Sequence, residues 1–133
     1  MYDVQYNKNI GGDLVPEFQN LIQNLITELK RGSLTLAVLG SLHDSYYGYS
    51  LLQKLQENKI EIEGNTLYPL LRRLENQELL DSAWDTAESR PRKYYRISEK
   101  GAIVYKELML EWKKIQNSVD NICREVEENE RSN

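Results

Sequence analysis

The segment from Gly64 to Lys100 constrains the fold most, because it places a short helix directly before a basic two-stranded ribbon. Within GNTLYPLLRRLENQ, four leucines recur at i, i+3, i+4 and i+7 and therefore share one helical face. They are Leu67, Leu70, Leu71 and Leu74. The other faces keep Thr66, Tyr68, Pro69, Arg72 and Arg73. We therefore expect a buried leucine stripe and an exposed surface able to enter a DNA major groove.

A helix of this kind, taken alone, is more often an ordinary solvated surface helix than a reader of DNA bases. The ribbon favours the second interpretation. SRPRKYYRIS contains Arg90, Arg92, Lys93 and Arg96 and no acidic residue, a local charge of +4 in a chain of net charge −4. Because Lys and Arg contacts with phosphate supply most non-specific affinity, the acidic total argues against indiscriminate coating of nucleic acid. The local excess of positive charge instead predicts a contact with nucleic acid that is confined to the ribbon.

Pro69 limits where this helix begins, because proline has no amide hydrogen and fits only where no intrahelical bond is needed. With Thr66 as the cap, Pro69 stands at the third helical position and no bond is lost. With Asn65 as the cap, one bond is forfeited, so the spacing predicts Thr66. Either way, the exposed amino end near Asn65, Thr66 and Tyr68 favours a phosphate.

The surrounding segments complete the predicted fold. Upstream, an amphipathic helix is expected over 16–29. A second helix is expected after a break at Gly32-Ser33, with Ser33 as its cap and His43 at its end. A third is expected in GYSLLQKLQENK. After the leucine-striped helix, residues 80–84 enter a strand, 85–91 form a polar tip and 93–97 return. This order predicts a mainly α (α+β) fold, a winged helix-turn-helix with a two-stranded wing, rather than a four-stranded sandwich.

The last predicted helix, for which Ser98 is the expected cap, carries a second pattern. Its apolar residues follow the alternating spacing of three and four that forms a seam between helices. They are Tyr105, Leu108, Trp112, Ile115, Val119, Ile122 and Val126. The alternative is that this stripe packs against its own domain. The separate amphipathic helix upstream also needs a surface for its own stripe, which favours dimerisation.

The 133 residues suffice for one packed domain and an extra element, but not for two ordinary domains. We predict a flexible tail over residues 1–12, a winged helix-turn-helix domain with the extra amphipathic helix over 13–98, and a dimerisation helix over 99–133. No apolar run approaches the roughly 20 residues that cross a bilayer, and the start lacks the apolar core of a signal peptide. These features predict a cytoplasmic protein without a membrane partner.

The chain offers little to catalysis or metal binding. Its single cysteine, Cys123, has no partner for an internal disulfide and no second sulfur or histidine nearby in the sequence. His43 is the one histidine, and there is no glycine-rich phosphate loop. We therefore predict no cofactor, no metal site, no catalytic residue and no enzyme activity, although dispersed carboxylates leave an acid–base pair open.

Three segments together carry a family resemblance: RGSLTLAVLGSLHDSYYGYSLLQKLQ, then GNTLYPLLRRLENQELLDSAW, then RPRKYYRISEKG. In this order and spacing they resemble the PadR-like family of bacterial transcriptional regulators, over approximately residues 30–102. The resemblance implies homodimers of winged-helix domains, joined through carboxy-terminal helices, that repress promoters until an effector intervenes. It also implies DNA contacts at Asn65, Thr66, Tyr68, Arg72, Arg92 and Lys93, with Tyr49 as a candidate phosphate contact. Arg73 and Arg90 are neighbouring cations that we add to this set.

Trp112 allows a finer comparison. Its setting, LEWKKIQNSVDNI on a single carboxy-terminal helix, is similar to the lactococcal multidrug-responsive type within the family, which implies that a tryptophan from each subunit stacks on planar drugs. A tryptophan in a seam is too bulky for tight two-helix packing and faces its mate across a twofold axis. Trp112, Leu108 and Ile115 are therefore candidate contacts for a flat aromatic effector, with plain interface packing as the alternative.

These features predict a repressor whose two third helices dock in successive major grooves of an inverted-repeat operator in double-stranded DNA. An effector at the dimer interface would change the spacing or mobility of the two domains and so lower affinity. The alternative is a protein-interaction module, in which the basic wing binds an acidic partner and the long helix connects copies.

Overall fold

The architecture comes from a computed structural model, which describes residues 15–132. The predicted flexible tail over 1–12 lies outside the described residues. In chain order the elements are α1 (Pro16–Ser41), β1 (Tyr46–Tyr47), α2 (Gly48–Glu57), α3 (Gly64–Asn76), β2 (Leu80–Asp85), β3 (Arg92–Ile97) and α4 (Glu99–Ser132). The chain divides into two compact units, Met1–Ser33 and Leu34–Asn133. The second unit contains a winged helix-turn-helix, which confirms the predicted fold class.

α1 runs without a break through Gly32 and Ser33, so the predicted interruption there is wrong. Ser33 does not cap a new helix; its hydroxyl donates to the carbonyl oxygen of Lys30, one turn earlier, at 2.7 Å. A glycine inside a helix costs only about 1 kcal/mol relative to alanine, which good helix formers on both sides offset. Within the first unit, three leucines of the amphipathic stripe are exposed: Leu21, Leu25 and Leu29.

The core of the second unit is an apolar cluster between helices and sheet. The leucine stripe of α3 is buried, as predicted. The stripe shares this cluster with residues from α1, α2, the wing and the connections: Val38, Leu39, Leu42, Leu51, Leu55, Ile62, Leu79, Leu80 and Tyr95. Because each large apolar side chain contributes about 1.5–3 kcal/mol when fully buried, this cluster is the main stabilising contribution to the unit.

His43 lies at the carboxy-terminal end of α1, as the sequence predicted. The Nδ1 atom of His43 lies 3.1 Å from the carbonyl oxygen of Leu39 and 3.0 Å from that of Gly40. With its proton on Nδ1, the ring donates to carbonyls of the last turn, where the Gly40 carbonyl also accepts the His43 amide at 3.4 Å. The role predicted for His43 at the helix end is confirmed.

α2 and α3 end in the same way, with a residue in the left-handed conformation. Lys59 has a φ of 66° and Glu78 a φ of 63°. The next amide then bonds back to the last turn, from Ile60 to Leu55 and from Leu79 to Leu74, both at 2.9 Å. This closing motif turns the chain sharply, so that the segment after each helix re-enters the core.

α3 begins three residues earlier than predicted. Glu63 precedes the helix, and its carbonyl oxygen accepts the amides of Thr66 and Leu67, both at 3.0 Å. Thr66 is therefore helical and is not the cap. Pro69 stands at the sixth helical position, where the carbonyl of Asn65 loses its helical partner. The helix start predicted from Pro69 was wrong. Starting α3 at Gly64 brings Leu67 into the core, and the free energy of burying that side chain outweighs one forfeited hydrogen bond.

The wing has a third strand that the sequence did not predict. β1 pairs antiparallel with β3, with Tyr46 opposite Tyr95 and Tyr47 opposite Tyr94, and the sheet order is β1-β3-β2. A strand of two residues shows no alternation of apolar and polar side chains, so the sequence carries no signal for it. The predicted hairpin is confirmed, and its register runs from Leu80 opposite Ile97 to Asp85 opposite Arg92.

α4 starts against the turn that follows α3. Ser98 caps it as predicted, because its Oγ accepts the amide of Gly101 at 2.9 Å and donates to the carbonyl of Glu78 at 2.7 Å. A Cβ added to Gly101 would stand 2.1 Å from the carbonyl oxygen of Leu79 and 2.8 Å from Cγ1 of Ile97. Since the backbone of Leu79 cannot swing aside as a side chain does, this approach requires glycine.

We expect Gly101→Ala to lower the free energy of unfolding by about 1–3 kcal/mol, because the added methyl group forces α4 away from Leu79. Gly32→Ala is the matched control, since a Cβ at Gly32 meets nothing within 4 Å among the described residues. That control should stabilise α1 by roughly 0.5–1 kcal/mol. Urea denaturation followed by circular dichroism, at one fixed protein concentration, measures both. Equal stabilities of the two variants would contradict the close approach of α4.

Candidate nucleic-acid interface

The outward surface of α3 follows from the burial of its leucines. Tyr68 and Arg72, four residues apart, share one exposed face, and Asn65 continues it toward the helix start. We call these three residues the outward stripe of α3. Thr66 is exposed in the same first turn, where the helix carries partial positive charge. Arg73 is also exposed, but a rotation of about 100° per residue places it beside the stripe.

Two glycines set the position of the Tyr68 ring. A Cβ added to Gly48, at the start of α2, would stand 2.6 Å from Cε1 of Tyr68. A Cβ added to Gly64, at the start of α3, would stand 3.2 Å from Cε2. The ring therefore lies across both helix starts, and it is still 41% exposed. This contact restricts the ring and presents its hydroxyl at a defined place on the surface.

Tyr49 and Arg90 are further predicted contacts that the structure leaves exposed. Tyr49 lies in the first turn of α2, where Nε2 of Gln53 donates to its hydroxyl at 3.1 Å. Tyr47, the residue before α2, makes no side-chain cap hydrogen bond, and the amides of the first turn carry partial positive charge. Arg90 lies in the wing tip between β2 and β3. The starts of α2 and α3 therefore offer partial positive charge, and the wing tip offers the full charge of Arg90.

The tip of the wing is tied to β1. The Tyr47 hydroxyl donates to Oδ2 of Asp85, and the Ala87 amide donates to Oδ1 at 3.0 Å. The hydroxyl of Tyr47 and then the amide of Ala87 lower the pKa of Asp85, and the bond to Asp85 raises the pKa of Tyr47. Arg92 lies over the Tyr47 ring, 4.5 Å from its centroid, and pairs with Glu88 at 3.3 Å. These contacts hold Arg92 at the tip while leaving about half of its side chain exposed.

Lys93 lies nearer α3, and its charge is already paired. Its Nζ donates to Oε2 of Glu75 at 2.9 Å, while Oγ of Ser82 donates to Oε1 at 2.6 Å. The side chains of Lys93 and Glu75 are only 27% and 28% exposed. The Ser82 hydroxyl and then Lys93 hold the pKa of Glu75 below its usual value, and the bond to Glu75 raises the pKa of Lys93. Glu75 is not among the predicted site residues, because an acidic residue near a helix end gives no signal of which strand it meets.

The seam of α4 separates into two parts. Tyr105 packs within its own domain, with its ring 4.7 Å from that of His43 and close to Gly40. The other six seam residues are between 37% and 62% exposed: Leu108, Trp112, Ile115, Val119, Ile122 and Val126. Packing against the chain's own winged domain therefore accounts for Tyr105 but not for these six.

A family model for the transcriptional regulator PadR-like family matches residues 36–107, more than half of the chain. The chain belongs to the PadR-like family. A crystal structure of a PadR family transcriptional regulator from Eggerthella lenta is 41% identical with a TM-score of 0.78, covering 81% of this chain and 96% of that one. An X-ray structure of a PadR-like transcription factor from Bacteroides fragilis is 35% identical with a TM-score of 0.64, covering 74% and 98% respectively.

A curated protein from Lysinibacillus sphaericus, described only as an uncharacterized protein, is 31% identical over 99 residues, which is 71% of this chain and 91% of the relative. These matches confirm the family resemblance. PadR-like proteins are DNA-binding regulators of transcription and not enzymes, so the predicted lack of enzyme activity is also confirmed. Among the helices within residues 15–132, none combines the length and the apolar character that a membrane span requires.

In this PadR-like protein, the ion pair of Glu75 and Lys93 stabilises the fold only while both groups are charged. The pKa of Glu75 is depressed, so its contribution is present above the unfolded value near 4.5 and is lost as the pH falls through the lower folded value. The pKa of Lys93 is raised, so its contribution is present below the unfolded value near 10.5 and is lost as the pH rises through the higher folded value.

We expect Glu75→Gln to lower the free energy of unfolding at neutral pH by about 0.5–1 kcal/mol, because partly exposed ion pairs contribute no more than this. The difference from wild type should shrink as the pH is lowered below the usual Glu pKa of 4.5. Urea denaturation across a pH series measures it. A difference of constant size over the whole series would show that charge is not the source of the effect.

Proposed function

We propose that this PadR-like regulator is a homodimeric repressor that binds an inverted-repeat operator and releases it when a planar aromatic effector binds at the dimer interface. The observation that supports it most directly is the combination, on one domain, of an exposed stripe of Asn65, Tyr68 and Arg72 with exposed arginines at the wing tip. Helix and wing are the two elements by which a winged domain contacts the groove and the flanking backbone of one duplex. A regulator of transcription acts where the chromosome lies, so we also propose a cytoplasmic location.

The proposed DNA contacts divide by chemistry. The outward stripe of α3 supplies donors and acceptors suited to base edges in the major groove. The proposed phosphate contacts are Tyr49, Thr66, Arg73, Arg90 and Arg92. Lys93 is retained as a predicted contact, but it would have to exchange the carboxylate of Glu75 for a phosphate, since the ion pair between them measures 2.9 Å.

The proposed dimer interface is the exposed seam of α4. The six residues from Leu108 to Val126 continue a heptad spacing for almost three heptads, and none of them is buried in the single chain. A lone helix has little stability in water without tertiary packing of its apolar face. A second copy of the chain offers the complementary seam around a twofold axis. Tyr105 contributes instead to the core of its own domain.

The proposed effector contacts are Trp112, Leu108 and Ile115. Trp112 is 42% exposed in the single chain, which leaves the indole face available for stacking. In a twofold dimer its mate would face it, and a flat aromatic molecule between the two rings would alter the separation of the helices. That change would lower affinity, because both winged domains must meet one stiff duplex at once.

The alternative function is a protein-interaction module, in which the basic wing binds an acidic partner. The exposed Arg90 and Arg92 are compatible with such a partner. The exposed Tyr68 and Arg72 on α3 favour DNA, because together with the wing cations they form the helix-and-wing pair that meets the groove and the backbone of one duplex. Tight binding to a protein, together with no salt-sensitive binding to DNA, would favour the alternative.

Adjacent arginines on α3 give a matched test of the DNA contacts. We expect Arg72→Ala to weaken operator binding by about 1–3 kcal/mol and to relax the sequence preference at one or two base pairs. Arg73→Ala and Arg92→Ala should weaken all duplexes similarly and flatten the log–log salt dependence by about 0.9 for each phosphate that is no longer neutralised. Fluorescence anisotropy over a salt series separates the two patterns. Arg131→Ala, near the end of α4, controls for the loss of one positive charge away from the proposed interface. Unchanged DNA binding by the other three variants would contradict the proposed DNA contacts.

The effector site is tested through Trp112. We expect planar cationic dyes to quench tryptophan fluorescence in the wild-type protein, because the stacked dye accepts excitation energy at short range. Trp84 also emits, so the measurement is repeated on Trp112→Ala and on Trp84→Phe. Dye affinity should fall at least tenfold in Trp112→Ala, consistent with loss of an aromatic stack, and stay unchanged in Trp84→Phe. Dye binding by Trp112→Ala at wild-type strength would end the stacking proposal.

One experiment tests the function as a whole. Selection of bound sequences from random duplex DNA should return an inverted repeat whose half-sites are about 10 base pairs apart, one turn of the helix. Repeating the selection with a panel of aromatic compounds should reduce recovery with some of them. Recovery of no preferred sequence at low salt would contradict the proposed function.

A further inference from the structure

An acidic residue ends the row of side chains that begins with the outward stripe of α3. Tyr68, Arg72 and Glu75 are spaced at i, i+4 and i+7 and therefore lie on one face of the helix. On a surface that meets DNA, a carboxylate repels phosphate over about 8–10 Å at physiological salt. The position of Glu75 is therefore unfavourable for binding unless the carboxylate contributes something else.

The contacts of Glu75 connect three elements. One carboxylate oxygen accepts from Ser82 on β2 at 2.6 Å, and the other accepts from Lys93 on β3 at 2.9 Å. Lys93 also lies over the rings of Tyr95, at 5.3 Å, and Trp84, at 5.9 Å. A single side chain at the end of α3 thus binds both strands of the wing.

We propose that Glu75 is a positioning residue for DNA binding, which sets the angle of the wing relative to α3 so that the wing tip and the outward stripe reach one duplex together. This inference rests on the proposed DNA-binding function. A strand of six residues is about 20 Å long, so a rotation of roughly 10° at the base displaces the tip by about 3 Å. That displacement is the length of a hydrogen bond, and it is enough to separate Arg92 from a phosphate.

Two other roles for Glu75 predict different outcomes. A carboxylate can read cytosine by accepting from its amino group, in which case its loss changes preference at one base pair. Simple electrostatics predicts that removing the negative charge strengthens binding to every duplex. The positioning role predicts weaker binding to every operator that uses the wing.

The test compares two substitutions that remove the same charge. Glu75→Gln breaks the ion pair with Lys93, whereas Glu78→Gln, three residues later, removes only a long ion pair of 3.6 Å with Lys100. We expect Glu75→Gln to weaken operator binding by on the order of tenfold and to flatten the salt dependence, because the displaced wing neutralises fewer phosphates. Glu78→Gln should bind as tightly as wild type or slightly more tightly. Anisotropy titrations are run at a temperature where circular dichroism shows all variants folded.

A double variant distinguishes positioning from local instability. If Glu75 acts through the wing, adding Glu75→Gln to Arg92→Ala should weaken binding less than it does in the wild-type protein. Hydrogen exchange should show faster exchange of the β3 amides in Glu75→Gln than in Glu78→Gln.

Several outcomes overturn the inference. Binding by Glu75→Gln at wild-type strength or above, full additivity with Arg92→Ala, or a loss confined to one base pair would each do so while leaving the proposed function intact. A wild-type protein that binds no duplex at low salt would overturn both the proposed function and this inference.

Discussion

Burial of the leucine stripe of α3 is the constraint on which the rest of the structure depends. Leu67, Leu71 and Leu74 are at most 1% exposed, and this fixes both the depth and the rotation of the helix. Tyr68 and Arg72 face outward because the leucines beside them face inward. The same burial explains why the helix starts at Gly64 in spite of Pro69. One forfeited hydrogen bond costs about 1–3 kcal/mol at most, which is less than the buried stripe contributes.

The wing depends on polar contacts that the core does not supply. A two-stranded hairpin alone is marginally stable in water, so its orientation must come from elsewhere. Here β1 and the Tyr47–Asp85 hydrogen bond hold the tip, and Glu75 ties the wing to α3 through Ser82 in the middle of β2 and Lys93 near the tip end of β3. The cations of the wing therefore differ in availability, although the sequence gives them equal charge. Lys93 is largely committed to the fold, whereas Arg90 and Arg92 are exposed.

Features that depend on near neighbours were predictable from the sequence. Four features depend on residues that are close in sequence: the leucine stripe, the hairpin, the Ser98 cap and the role of His43. Features that depend on distant partners were not. β1 exists only because Tyr46 meets Tyr95, and Glu75 gains its role from Lys93, 18 residues later. The errors at Gly32-Ser33 and Thr66 have a related cause. In both places the stability of the surrounding structure outweighs a local helix-breaking residue, Gly32 in one and Pro69 in the other.

α4 links the proposed dimer to the proposed control of DNA binding. It has 34 residues and is therefore about 50 Å long, and beyond Met109 every described side chain is exposed. If two copies pair through the seam, the distance between the winged domains is set by stiff helices rather than by a flexible linker. Gly101 strengthens this coupling, because the close approach to Leu79 fixes α4 to its own domain. An effector that separates the helices near Trp112 would then move whole domains, and affinity would fall without any change in the residues that contact DNA.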